Sequence, residues 1–298
     1  MDALGVYLQE SENIEVQQTA DDADRAIVIK CIRCLEDNDT ILNGDDTDLL
    51  VLCLHFFRIN APMKSLYIYR PSSKTYIDVK KVINQWPVKI MENILVLHAA
   101  SGCDTVSSLS GIGKTKLIKS AVKNDSQVCD LLNVFNCENQ HKDTLIVSGL
   151  QIIQFLYCPS NPNMAYKDLI KWVYKHKLSG KRAIQLKSLP PTEEAGLQHI
   201  LRIYCQVQEW LGNDIQPEVF GWMINEGSFE PNQGFSTICP TKISKNISCG
   251  CKTGCKAACT CVKNGMSCTA VCKCNDVGCT NKHDEESEVS DNEQDNDI

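Results

Sequence analysis

The chain has 298 residues, 43% of them hydrophobic, and a net charge of −7, which leaves room for one or two domains with a real core. The charge is uneven: residues 284–298 hold eight acids and no Lys or Arg, so residues 1–283 carry a net +1. Met1-Asp2-Ala3-Leu4 lacks the basic start and apolar run of a signal peptide, and apolar runs such as 49–54 are too short to cross a bilayer. The sequence therefore predicts a soluble intracellular protein with no membrane partner.

Residues 1–18 are polar and weakly patterned. Thr19-Ala20-Asp21-Asp22 fits a capping box. Ala23, Ile27, Cys31, Cys34 and Leu35 then recur at helical spacing, so 20–36 is predicted helical. Ile41-Leu42-Asn43-Gly44-Asp45-Asp46-Thr47-Asp48 reads as a short buried strand, an acidic turn, and a helix starting at about Thr47. Ligands in open α/β sheets gather outside the carboxyl ends of strands, so Asp46 and Asp48 stand where a divalent metal could be held. The plainer reading is an Asp capping a helix. Residues 66–69 and 75–79 form a predicted hairpin around Pro71-Ser72-Ser73. Residues 88–100 read as one mostly buried helix, with His98 as a core residue, followed by Ser101-Gly102-Cys103-Asp104.

Ser110-Gly111-Ile112-Gly113-Lys114 is a small-residue turn feeding a short basic helix. A phosphate loop would need glycine five positions before Gly113, where Ser108 stands, so no nucleotide cofactor is expected. A helix-hairpin-helix element fits better: glycines let backbone N–H groups approach a DNA phosphate, and Lys114, Lys116 and Lys119 supply charge. The alternative is a turn between core helices with a solvated basic face. Residues 165–181 are basic and aromatic and read as a solvated amphipathic helix; 194–210 is helical, and 221–248 is rich in linker residues.

Asp22, Asp24, Asp46, Asp48 and Asp104 together could form one site. Clustered carboxylates suit Mg²⁺ or Mn²⁺, and two such ions about 3.5–4 Å apart can activate water and stabilise a leaving oxygen. Residues i and i+2 on a helix point about 200° apart, so Asp22 and Asp24 converge only if one precedes the first turn; Asp21 with Asp24 is the helical alternative. In this order, Asp22-Ala23-Asp24, Asp46-Thr47-Asp48, Gly102-Cys103-Asp104 and Gly111-Ile112-Gly113-Lys114 resemble the motifs of flap-endonuclease-type PIN nucleases. The phrases Asp21 to Asp24, Asp46 to Asp48 and His98 to Asp104 also resemble those of proteins associated with mobile elements. The resemblance implies an α/β fold: a PIN-like parallel sheet with flanking helices and metal-dependent phosphodiester cleavage. That family begins with a strand delivering a further Asp. Only 21 residues precede Asp22 here, so a core truncated at its N-terminus, and with it an inactive DNA-binding protein, is the competing expectation.

Of the 18 cysteines, nine lie scattered over 31–239 and nine between Cys249 and Cys279. Without an export signal, dense cysteines read as metal ligands rather than disulfides. The spacing is Cys249-x-Cys251-x₃-Cys255-x₃-Cys259-x-Cys261-x₆-Cys268-x₃-Cys272-x-Cys274-x₄-Cys279. Tetrahedral zinc takes four thiolates, and nine thiolates serve about three zincs if three of them bridge. The segment has too few apolar residues to fold without metal, so folding and binding are coupled. With Asn281 closing the run, it resembles the tesmin-type CXC domain. That resemblance implies DNA binding, with Lys252, Lys256, Lys263 and Lys273 as phosphate contacts; a zinc-stabilised protein-interaction scaffold is the alternative. The expected organisation is a PIN-like core at 1–125, a mainly helical extension at 126–220, a linker at 221–248, a zinc module at 249–282 and a disordered acidic tail at 283–298. DNA is the expected partner, no protein partner can be named, and nuclear localisation follows from the DNA role alone.

Overall fold

The computed structural model describes residues 14–19, 23–123, 125–161, 164–178, 188–232, 249–252, 254–263, 265–268, 272–274 and 279–281. The chain divides into two units, 1–234 and 235–298. Most of the expected linker and the acidic tail, 283–298, fall outside the described residues.

Helix α1 (Asp24–Cys34) carries Asp24 in its first turn and Arg33 in its last, charges that complement the helix dipole. Strand β1 (Thr40–Asn43) leads through Gly44-Asp45-Asp46 into α2 (Thr47–Asn60). The Asp46 side chain caps α2, accepting from the Asp48 N–H at 2.9 Å. Eight residues of α2 are buried, from Leu49 to Phe57, so it runs through the core and ends at left-handed Ala61. Strand β2 (Leu66–Arg70) pairs parallel with β1, Thr40 opposite Leu66 and Asn43 opposite Tyr69. It pairs antiparallel with β3 (Thr75–Asp78). Asp45 accepts from Ser72 Oγ at 2.6 Å, tying the acidic turn to the hairpin turn.

The single helix expected over 88–100 is two: α4 (Val88–Glu92) and α5 (Ile94–Ser101), after the short α3 (Val79–Gln85). Asn93 breaks it. This residue is wholly buried, and its amide donates to Lys89 O at 2.9 Å while its oxygen accepts from Asn136 Nδ2 at 3.1 Å. Apolar periodicity runs through that break unchanged, so it carries no trace of it.

Helices α6 (Lys114–Lys123), α7 (Asp125–Asn133), α8 (Lys142–Tyr157), α9 (Tyr166–Leu178) and α10 (Glu193–Leu211) follow. Thr192 caps α10 by accepting from Ala195 N–H, and Gly212, at φ 86°, closes it. Gly149 lets α8 lie against Ile200 of α10. One hydrophobic core runs from Val28 through Leu52, Leu95, Leu132 and Phe135 to Ile200 and Trp210. The boundary expected at 125/126 does not divide it. The stretch expected as linker begins with a hairpin, β4 (Trp222–Asn225) and β5 (Ser228–Pro231). Its two turn residues, Glu226 (φ 49°) and Gly227 (φ 82°), both have positive φ, as a tight two-residue hairpin turn requires.

The chain is mixed α/β, mainly helical, with a three-stranded and a two-stranded sheet among the described residues. A PIN-like parallel sheet was expected, together with a hairpin around Pro71-Ser72-Ser73. The described sheet has one parallel pair, and β3 returns antiparallel because only Pro71-Ser72-Ser73-Lys74 separates it from β2. A parallel crossover needs a dozen residues or more.

In the second unit, cysteines take the place of a hydrophobic core: Cys249, Cys255, Cys259, Cys261, Cys268, Cys272 and Cys274 are buried. Its one described helix, α11, spans Thr260–Lys263.

Candidate metal centres

The acidic turn works in two directions. Asp45 is held by the hairpin turn, while Asp46 and Asp48 stay with the N-terminus of α2. The start of α1 brings Asp24 to the same place. One carboxylate oxygen from each of Asp24, Asp46 and Asp48 lies within 4.8 Å of the others. Octahedral Mg²⁺ at ~2.1 Å spreads its oxygen ligands over roughly 3–4 Å, so this oxygen-only donor set could hold one hard cation. Capping and metal ligation are not exclusive for Asp46, since the cap occupies one oxygen.

Asp46 and Asp48 line an open cleft together with Ser101, Gly102, Asp104, Ser108, Gly113 and Lys114. Asp104 is exposed on its wall and is not one of the three carboxylates that converge. Gly102, at φ 105°, approaches the Ser108 backbone so closely that a Cβ would lie 3.1 Å from Ser108 N. That contact holds the Asp104 loop against the glycine turn. Gly111 has φ 69°, Leu109 bridges Ile112, and Tyr157 donates its hydroxyl to Ser110 O at 2.7 Å. Lys116 Nζ donates to Gly111 O at 3.1 Å, whereas Lys114 faces the cleft. Asp22 lies outside the described residues, as does Asp21.

Sequence reasoning missed His98. Placed in the core by its apolar neighbours, it is 4% exposed, yet its Nε2 sits 2.6 Å from Asp48 Oδ1. Its ring stacks on Trp210 with centroids 5.6 Å apart. The spacing of His98 to Asp104 was the one available signal, and it carries no geometry.

The cysteine unit gathers all nine thiols. Cys249 Sγ lies 3.6 Å from Cys255, 3.9 Å from Cys268 and 3.4 Å from Cys274. Cys261 lies 3.6 Å from Cys272, and Cys279 lies 3.6 Å from Cys274. These are not disulfide lengths. They match the edges of a zinc–thiolate tetrahedron, about 3.8 Å for Zn–S bonds of ~2.3 Å. Three overlapping groups of four thiols share Cys249, with Cys255 and Cys268 each in two, so this cluster could hold metal ions, and an all-thiolate donor set suits zinc.

Backbone N–H groups favour the thiolate at two positions: Val262 lowers Cys259 to about 6, and Asn281 lowers Cys279. Burial pushes Cys274 up to about 12 and raises Cys255 and Cys261, hydrogen bonds among the thiols adding to it. So many thiols cannot ionise together without cations between them. Asn281 closes the unit by donating to Met266 O at 2.9 Å and to Cys268 Sγ. Lys252, Lys256, Lys263 and Lys273 are exposed around the buried sulfurs. Among the scattered thiols, half-buried Cys31 and buried Cys53 are raised by desolvation, Cys31 to about 11.

Among the described residues, no helix is long and apolar enough to cross a membrane. No protein-family model matches the chain, and no match was found among curated proteins or solved structures.

Proposed function

We propose that the N-terminal unit is a Mg²⁺- or Mn²⁺-dependent phosphodiesterase of the flap-endonuclease PIN type, and that a CXC-type cluster of about three zincs brings it to DNA. One observation carries the reading. Carboxylates from α1 and the α2 N-terminus meet within 4.8 Å, and the cleft that Asp46 and Asp48 border also holds Asp104, Gly113 and Lys114. Three segments distant in sequence, those of Asp46 and Asp48, of Asp104, and of Gly113 and Lys114, share one opening, and Asp24 meets the first of them.

A bound divalent ion would supply positive charge to phosphate oxygens and a more acidic water. The chain's own residues do the rest. Asp24, Asp46 and Asp48 would hold the ion, and Asp104 lines the cleft that Asp46 and Asp48 border. Lys114 and the first N–H groups of α6 donate to a DNA phosphate and offset its charge. Exposed lysines around the cysteine cluster bind the backbone without reading bases.

The test is cleavage of branched and single-stranded DNA in Mg²⁺ or Mn²⁺ by the zinc-loaded chain, beside Asp46→Asn. Asn keeps an acceptor for the Asp48 N–H but loses the charge. Metal-dependent cleavage by wild type that the variant lacks is expected. Binding of DNA without cleavage in either metal would replace this reading with that of a non-catalytic DNA-binding protein.

A further inference from the structure

The last turn of α10 contacts residues beside two of the clustered carboxylates. Arg25, next to Asp24, donates from Nε to Trp210 O at 3.1 Å and from its second terminal nitrogen to Leu211 O at 3.4 Å. Gly212 leaves the space that the Arg25 guanidinium fills. Trp210 itself stacks on His98 at an interplanar angle of 27°, and His98 meets Asp48. One helix end therefore touches both the carrier of Asp24 and the partner of Asp48.

An ionised carboxylate only accepts hydrogen bonds, so the His98 Nε2–H donates to Asp48 Oδ1. We infer that His98 is a positioning residue for the metal site: its Nε2–H holds Asp48 by Oδ1 in the orientation in which the carboxylate converges with Asp24 and Asp46, while Trp210 stacks on the imidazole. The inference rests on the phosphodiesterase reading. The physical ground is that a carboxylate free to rotate must be ordered when it binds metal. A buried donor that orders it beforehand removes that cost, and partners of this kind typically change metal affinity by about 10–100-fold.

The test measures Mn²⁺ binding to the zinc-loaded full-length chain by the spin resonance of free Mn²⁺, alongside kcat and KM for DNA. His98→Phe keeps a ring against Trp210 and removes the donor; His98→Gln returns an N–H near the position of Nε2. Asp46→Asn supplies the baseline for the site. His98→Phe is expected to lose about 10–100-fold in Mn²⁺ affinity, with kcat falling and KM for DNA within about twofold. His98→Gln is expected to recover to within about threefold of wild type.

Wild-type Mn²⁺ affinity in His98→Phe overturns the inference. So does a His98→Gln as weak as His98→Phe, which would reduce His98 to a packing residue. A wild type whose Mn²⁺ binding equals that of Asp46→Asn overturns the phosphodiesterase reading and this inference with it. Should His98→Phe fail to fold, Trp210→Phe tilts the imidazole without removing it; a severalfold loss of Mn²⁺ affinity is expected, and wild-type affinity again overturns the proposal.

Discussion

Two buried histidines contribute to the protein's response to acid. Neither ring nitrogen of His199 and not the Nδ1 of His55 has a hydrogen-bond partner among the described residues. Burial, reinforced by Arg58, lowers His55 from 6.5 to about 4; burial, reinforced by Arg202, lowers His199 to about 4. The unfolded chain takes up these protons near pH 6.5 and the folded one only near pH 4. Their contribution is thus whole above about pH 6.5 and is lost as pH falls toward 4, on the order of 3 kcal/mol each at most. Urea titrations from pH 7 down to 4.5 are expected to show a falling midpoint, with a shallower fall in His199→Leu. Gly149 is a second sensitive position. A Cβ there would lie 2.5 Å from Ile200 Cγ1, so Gly149→Ala is expected to cost about 1–3 kcal/mol in denaturant unfolding.

Helices α4 and α5 exist as a pair because Asn93 exchanges helical continuity for two side-chain hydrogen bonds. Asn93→Leu leaves Asn136 Nδ2 with only its longer contact to Glu92 O at 3.3 Å. A loss of about 1–3 kcal/mol is expected, read as a lower thermal midpoint; an unchanged midpoint would show that Asn93 does not hold the break. The end of α10 is the other decisive joint. Gly212→Ala meets an unfavourable positive φ and the guanidinium of Arg25. It is expected to weaken Mn²⁺ binding by displacing the start of α1, and not merely to lower stability by the ~1 kcal/mol of a left-handed alanine.

Across the chain, the two units answer to different agents. The N-terminal unit is held by the core from Val28 to Trp210, the C-terminal unit by its buried cysteines. Chelation at neutral pH is expected to release about three zincs per chain and to unfold the cysteine unit, while the far-ultraviolet helical signal of 24–211 persists. Loss of that signal on chelation would show that the first unit needs the second. DNA binding through the exposed lysines should weaken steeply between 50 and 200 mM salt, by about a factor of ten or more for several phosphate contacts; salt-insensitive binding would exclude a backbone-docking role.

Local spacing carried much of this. The acidic turn, the start of α2 at Thr47, the hairpin of β2 and β3, the helix beginning near Thr192 and the cysteine array are each written within a few residues, where capping, turn chemistry and ligand spacing act. Periodicity could not reveal the break at Asn93, because the bonds that satisfy its side chain include one from Asn136, more than forty residues away. Nor could it separate α6–α10 from the core they join, since a helix's apolar stripe does not say which partner covers it. The same limit hid His98. Its apolar neighbours are compatible with a core histidine or with a carboxylate partner. The choice was made by packing that sets α5 between Asp48 and Trp210, residues 162 positions apart in the sequence.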